Sequence, residues 1–299
     1  MLADQLSHLP DIKQRELKHV VKVLFDTFEN TTKTKLSDKR KAGRILKVIL
    51  FGSYARGGWV DDRPSGYRSD YDILVVVNGH EFTDLQEYWS EADDTFVREY
   101  TLTHELKTPV SFIVHSLQDV NDQLAKGRPF FNDIARDGIM LFEAEGHPLA
   151  KAKPLTPEEI KVEAKGYYEQ WMPDVYDFQK LAVTCMEMGN NRLAAFNLHQ
   201  ATERLYHCTL LVYTLYSPKS HRLSFLRSQA EGLDERLHDT WPDDTKFARR
   251  CFAKVQRAYV EARYSAEYEI TTDELEWLQG RVSLLSDKTK QICEAKLAT

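Results

Sequence analysis

Asp70 and Asp72 stand two residues apart at the opening of an apolar run, Ile73 to Val77, within the stretch ILFGSYARGGWVDDRPSGYRSDYDILVVV from Ile49 to Val77. Successive side chains of a strand point to opposite faces and residues two apart share one, so these carboxylates are expected to project together. Two like charges on one face are costly without a cation between them, and a divalent ion with bound phosphates fills that place in phosphoryl chemistry. Upstream, Gly52 and Ser53 end an apolar run where a helix can begin, which offers backbone N–H groups and the Ser53 hydroxyl to a phosphate. Arg56 follows three residues on, with a guanidinium able to neutralise charge there. Either pair alone reads as a solvated turn. Together, each beside its own apolar run, they are the parts of a metal-dependent nucleotide site.

Elements that would position these residues follow from periodicity. Residues 11 to 29 place Leu17, Val20, Val21, Leu24, Phe25 and Phe28 at helical intervals, an amphipathic helix laid against a sheet. A Lys-rich connector, Asn30 to Gly43, leads to a strand at Ile45 to Phe51. After the strand that begins near Asp72, Glu81 to Tyr100 reads as one helix and Pro109 to Val114 as a third strand. Ser116 caps a further helix, Phe130 to Ile134 forms a short one that stops at Gly138, and Ile139 to Phe142 closes as a strand. That order predicts an α/β unit with a small mixed sheet. Ala144 to Pro157 has no periodicity and combines Gly, Pro and Lys, marking a linker. Beyond it the texture is helical only: helices are expected from Thr156 to about Met188, onward to about Tyr216, over His221 to Leu237, over Asp243 to about Ser265, and from Thr271. The prediction is two domains, 1–148 as the α/β unit and 155–299 as an all-α bundle.

At 299 residues, 42% of them hydrophobic, the chain has material for two cores. A formal charge of −6 does not by itself advertise nucleic acid. No apolar run reaches the roughly 18 residues of a membrane helix, and MLADQLSHLPDIKQREL lacks the order of a signal peptide, so a cytoplasmic protein with no membrane partner is expected. Cys185, Cys208, Cys251 and Cys293 are widely spaced in helical segments and read as buried free thiols. The ten histidines show no zinc spacing.

Gly-Ser, a spacer, then Asp-x-Asp at a strand resembles the polymerase-beta nucleotidyltransferase superfamily, in particular its minimal nucleotidyltransferases. The resemblance implies that Asp70 and Asp72 are catalytic and hold Mg2+ or Mn2+, and that Gly52, Ser53 and Arg56 bind the nucleotide. It implies transfer of a nucleoside monophosphate, AMP from ATP or the equivalent from another NTP, to an acceptor hydroxyl on a protein, an RNA or a small molecule. Two departures stand out. The spacer is long, which suggests an inserted loop at Asp61 to Arg68. The third carboxylate of active members falls on a later strand, where PVSFIVH has Ser111, with Glu105 upstream as the substitute. A catalytically impaired nucleotide- or RNA-binding regulator is therefore the alternative.

In the second half, Ala194-Ala195-Phe196, Leu198-His199-Gln200-Ala201, Glu203-Arg204 and His221-x-Leu-x-x-Leu226 resemble HEPN domains. Many of these are ribonucleases with an Arg-x4–6-His motif in a late helix. Here Arg257 and Arg263 occur in RAYVEARYSAEYEI without a following histidine, while Arg192 and His199 satisfy an Arg-x6-His pattern in the wrong helix. Packing or pocket lining therefore outweighs catalysis for His199. His199, His207, His221, Arg263 and Tyr264 are the candidates for an acceptor pocket completing the nucleotide cleft, and Arg263, Tyr264 and Tyr268 offer planes on which bases stack. The resemblance further implies a homodimer, and a ribonuclease of a toxin–antitoxin-like system as another alternative.

Overall fold

The computed structural model describes residues 6–62 and 67–298, with the backbone alone at 61, 62, 67 and 68. The chain divides into two units, Met1–Leu155 and Thr156–Thr299.

In the first unit, the apolar stripe of Leu17, Val20, Val23, Leu24 and Phe28 forms the buried side of α1, Asp11–Lys33. The helix continues one turn past the sequence estimate, with the Thr27 and Thr32 hydroxyls donating back to the helix carbonyls Val23 O and Phe28 O. The connector contains a single helical turn, α2 (Asp38–Lys41), capped by Ser37. Strand β1 (Ile45–Phe51) runs into a five-residue helix, α3 (Gly52–Arg56). The sequence-predicted loop carries two-residue strands, β2 (Asp61–Asp62) and β3 (Tyr67–Arg68), paired antiparallel. Residues 63–66 of that loop lie outside the described residues. Strand β4 spans Tyr71–Val77, so Asp72 is inside it and Asp70 immediately before it.

The single helix expected over Glu81 to Tyr100 is broken. A 3-10 turn (His80–Thr83) gives way to α4 (Leu85–Tyr88) and α5 (Ser90–Arg98), followed by a π turn at Glu99–Thr103. Asp84 restarts the helix by accepting from Glu87 N. Trp89 leaves helical geometry, φ −126°, to stack on Phe28 at 4.7 Å and donate its indole N–H to Phe82 O at 2.8 Å. Core packing overrides the periodicity there. Strand β5 (Val110–Ser116), α6 (Leu117–Ala125), α7 (Pro129–Asp137) and β6 (Ile139–Glu143) complete the unit.

The four longer strands order as β5-β4-β1-β6, with β4 and β5 parallel and the other neighbours antiparallel. One face carries Val48, Leu50, Tyr71, Ile73, Val75, Val77, Phe112 and Val114 in a core with α1. The opposite face carries Ile49 against Gly138 and Phe51 against Phe130, so α7 lies over it.

The second unit is helical. Thr156 and Glu159 form a reciprocal capping box with Pro157 at the first helical position, opening α8 (Pro157–Glu187). Asn190 caps α9 (Asn191–Thr214), which is buried nearly all round and is the axis of the bundle. The helix expected over His221 to Leu237 is shorter: α10 is Leu223–Glu231, and a capped 3-10 turn, Glu235–Leu237, follows. Helices α11 (Lys246–Tyr264) and α12 (Thr272–Ala298) complete the bundle. Cys185, Cys208, Cys251 and Cys293 are free and buried, as expected. No helix among the described residues is long and apolar enough to cross a membrane.

Candidate functional site

Register places the carboxylates. Asp72 pairs with Phe51 across β1 and with Ser111 across β5, and partners in a ladder share a face. Asp72, Phe51 and Ser111 therefore form one row on the face opposite the α1 core. Asp70 joins this row from outside the strand, because Ser111 Oγ donates to Asp70 Oδ2 at 2.5 Å. Ser111 is thus next to both aspartates, hydrogen-bonded to Asp70 and paired in the ladder with Asp72, although only Asp72 is in the strand. Asp70 is buried and Asp72 half-buried.

Gly52 sits over Asp72. Its φ is +73°, and a Cβ built there would lie 2.1 Å from Asp72 Oδ2. Only glycine permits both the left-handed turn and the approach of the carboxylate. Ser53 follows at the start of α3, half-buried, and its hydroxyl has no hydrogen-bond partner among the described residues. Arg56 ends α3 with an exposed guanidinium that makes no hydrogen bond among the described residues. Its charge reaches Asp137 at the end of α7: the Arg136 guanidinium holds that carboxyl below its usual range against slight burial, and Arg56 adds to the effect.

Behind the row, a buried polar network fixes Tyr71 between the two aspartates. Tyr71 Oη donates to Glu16 Oε2 at 2.8 Å and Thr108 Oγ1 to the same oxygen at 3.2 Å, while Lys107 N donates to Glu16 Oε1 at 2.5 Å. Lys13 completes the network through Thr108 and lies 3.6 Å from Glu16 Oε2. Burial pushes the Tyr71 hydroxyl far above its usual pKa, so it stays a donor. The sequence gives little sign of Glu16, since a charge on a helix reads first as a solvated face.

Ser111 occupies the ladder position beside Asp72 where a third acid is expected. Glu105, the proposed substitute, gathers instead with His19 and Glu99, their donor atoms within 4.8 Å of one another.

In the helical unit a second polar group assembles around Glu203. His221 Nδ1 donates to Glu203 Oε1 at 2.9 Å, and Gln200 Nε2 to Oε2 at 3.1 Å. His207 Nε2 lies 3.6 Å from Oε1, and its Nδ1 meets Ser217 Oγ at 2.5 Å. His199 is fully buried and donates from Nδ1 to Val255 O, which can only accept; its Nε2 lies 3.2 Å from Glu203 Oε2 without hydrogen-bond geometry. Burial would raise the Glu203 carboxyl, but the three imidazoles gathered around it, with His221 donating to it directly, outweigh burial and hold the group well below its usual range. Outward from this cluster, His221 stacks on Tyr259 at 4.2 Å, and the Arg263 guanidinium lies 4.3 Å from the Tyr259 ring and 4.9 Å from Tyr264. His199, His221, Arg263 and Tyr264 thus belong to one region of the bundle. Glu203, which the sequence reading named only within the HEPN-like wording, and Tyr259, which it gave no role, are the residues that link them. The spacing His199, Glu203, His207 at i, i+4 and i+8 on one helix face was the available signal. Arg192 is accounted for differently: its guanidinium donates to Glu261 O, Ala262 O and Ser265 O, closing the end of α11.

A Gly-Ser turn packed over Asp-x-Asp at the end of a small mixed sheet is the nucleotidyltransferase fold. Family models agree with both halves. That of the nucleotidyltransferase domain matches residues 30–108 and that of the HEPN domain residues 168–291. The chain joins a nucleotidyltransferase domain to a C-terminal HEPN domain. Among solved structures, a nucleotidyltransferase-like protein from Exiguobacterium sibiricum is matched at 15% identity with a TM-score of 0.25, covering 90% of this chain and 75% of that one. No curated protein sequence matches the chain.

Proposed function

We propose that residues 1–148 transfer a nucleoside monophosphate, AMP from ATP, to an acceptor hydroxyl on a protein, an RNA or a small molecule. The observation that carries this reading is the convergence of Asp70 and Asp72 on Ser111, with Gly52 packed against Asp72. The donor set, two carboxylates at one strand end, fits a hard divalent ion such as magnesium or manganese. When bound, the ion neutralises charge on the phosphates. Asp70 and Asp72 hold it, Ser111 orients Asp70, Ser53 offers its unengaged hydroxyl to a phosphate oxygen, and Arg56 faces the triphosphate with its positive charge. The acceptor oxygen bonds to the α-phosphorus, the bond to the bridging oxygen breaks, and pyrophosphate leaves. A serine cannot take the acceptor proton as a carboxylate does, so that proton passes to solvent and turnover is slow.

Labelled ATP with magnesium tests the proposal. An active protein releases pyrophosphate and labels an acceptor, and Asp72→Asn abolishes both while the fold, followed by circular dichroism, is retained. Retention of nucleotide without pyrophosphate release favours the impaired regulator, and unchanged transfer by Asp72→Asn overturns the assignment.

A second reading concerns residues 155–299, where the surface of His221, Tyr259, Arg263 and Tyr264 beside Glu203 joins proton-transfer groups to base-stacking planes. It favours RNA as the ligand of this half, bound or cleaved without metal, in a toxin–antitoxin-like role. Cleavage of labelled RNA in EDTA, lost in His221→Ala and kept in Asp72→Asn, supports cleavage; binding alone leaves this half an RNA-binding module. The homodimer implied by the HEPN likeness is tested by light scattering at micromolar concentration, where a monomeric mass sinks it.

A further inference from the structure

Away from the Asp70–Asp72 row, the first unit brings an imidazole and two carboxylates together. His19 Nε2, on α1, lies 2.8 Å from Glu99 Oε2. Glu99 opens the π turn, and the chain then reverses through His104, whose φ is +55°, so that Glu105 returns to Glu99. One donor atom from each of the three residues falls within 4.8 Å of the others.

The charges are poorly balanced. Glu99 is only 7% exposed, and its one side-chain hydrogen bond uses Oε2, leaving Oε1 without a donor among the described residues. Glu105 is exposed and has no partner among them. Two carboxylates with oxygens this close, one of them on a largely buried side chain, repel each other unless a cation joins them. His19 offers at most one proton to the pair.

We propose that His19, Glu99 and Glu105 bind a divalent transition-metal ion of the zinc class. Imidazole selects such ions over magnesium, and one nitrogen with two carboxylate oxygens makes three ligands of a four-coordinate site, the fourth position being left to water on the exposed Glu105 side. The ion takes the place of the proton that His19 Nε2 shares with Glu99. It ties α1 to the segment entering β5, the joint that Glu16 closes three residues earlier on α1 through Lys107 N and Thr108. The site is independent of Asp70 and Asp72, so its test does not depend on transferase activity.

Cobalt is the probe, added to the metal-free full chain carrying Asp70→Asn and Asp72→Asn and followed by visible absorption and calorimetry. The expected result is one equivalent bound, with the visible bands of a nitrogen- and oxygen-ligated low-coordinate ion, and displacement by zinc. Adding His19→Ala, or Glu105→Gln at the exposed ligand, weakens binding at least about tenfold, with the circular dichroism spectrum unchanged. No binding in the Asp70→Asn, Asp72→Asn protein, or binding that neither further substitution weakens, overturns the proposal.

Discussion

Replacing Gly52 by alanine separates the position of Asp72 from the stability of the fold. The added Cβ would lie 2.1 Å from Asp72 Oδ2 and 3.0 Å from its Cγ, with the backbone at φ +73°. A left-handed alanine costs about 1–2 kcal/mol, offset by about 0.4–1 kcal/mol of lost freedom in the unfolded chain. The contact itself is relieved cheaply, because the blocking atom is the end of a side chain that can swing away. It must retreat by about 1 Å to reach a normal separation, and a displacement of that size at a reacting centre costs on the order of 100-fold in rate. The expected outcome is therefore a small fall in melting temperature, about 2–4 °C per kcal/mol for a unit of this size, with magnesium-dependent transfer reduced about 100-fold. Gly58→Ala is the control, since nothing lies within 4 Å of its added Cβ. Calorimetry and release of labelled pyrophosphate read the two effects. Transfer by Gly52→Ala within about threefold of the parent would refute the reasoning, because the carboxylate would then not need the place the glycine leaves it.

Three other substitutions address separate links. Ser53→Ala is expected to weaken nucleotide binding by about 0.5–1.5 kcal/mol, roughly two- to twelvefold in Kd, because one neutral hydrogen bond is lost; a loss of several thousandfold would give Ser53 another role. Glu203 has a folded pKa below its usual 4.5, so its contribution to stability is fully present above that value and is lost as pH falls through the depressed one. Glu203→Gln should flatten the acid limb below pH 4.5 in melts of the full chain, and identical limbs would contradict the ion pairing. Lys47 is fully buried with its ammonium 2.5 Å from Glu143 Oε1, a carboxylate 54% exposed. Glu143→Ala, which strands the ammonium, should cost roughly 1–3 kcal/mol, less than a fully buried pair because water reaches the site, whereas Lys47→Met should be close to neutral by denaturant titration.

What could be read from the sequence was whatever local chemistry determines. The Gly-Ser turn, the strand after Asp70, the caps at Ser116, Thr156 and Thr271, and the bundle texture are all set by residues a few positions apart. Contacts that depend on distant partners stayed hidden. Nothing near Trp89 announces that it will leave a helix to reach Phe28, about sixty residues away in the chain given the tight packing of interiors, and the periodic run from Glu81 therefore read as continuous. Glu203 was hidden differently: its histidines at 199 and 207 are local, but the third, His221, arrives from beyond the end of α9.

The same distinction explains how the carboxylate row is held. In a strand, a slip of one residue transfers every side chain to the other face, and for β4 it would drive Asp72 into the α1 core and bring Tyr71 out. Apolar alternation alone does not prevent this, because Leu74 and Val76 are as fully buried as Ile73 and Val75. Tyr71 does. Its hydroxyl is committed to Glu16, which is held in turn by Lys107 N and Thr108 at the entry to β5. A buried donor deprived of that acceptor would cost about 1–3 kcal/mol, enough to select the register. With Tyr71 fixed on the core face, Asp72 must face the other way, beside Ser111 and under Gly52. The polar network that fixes the register thus lies on the core side of the sheet, while Ser111 holds Asp70 from the opposite side.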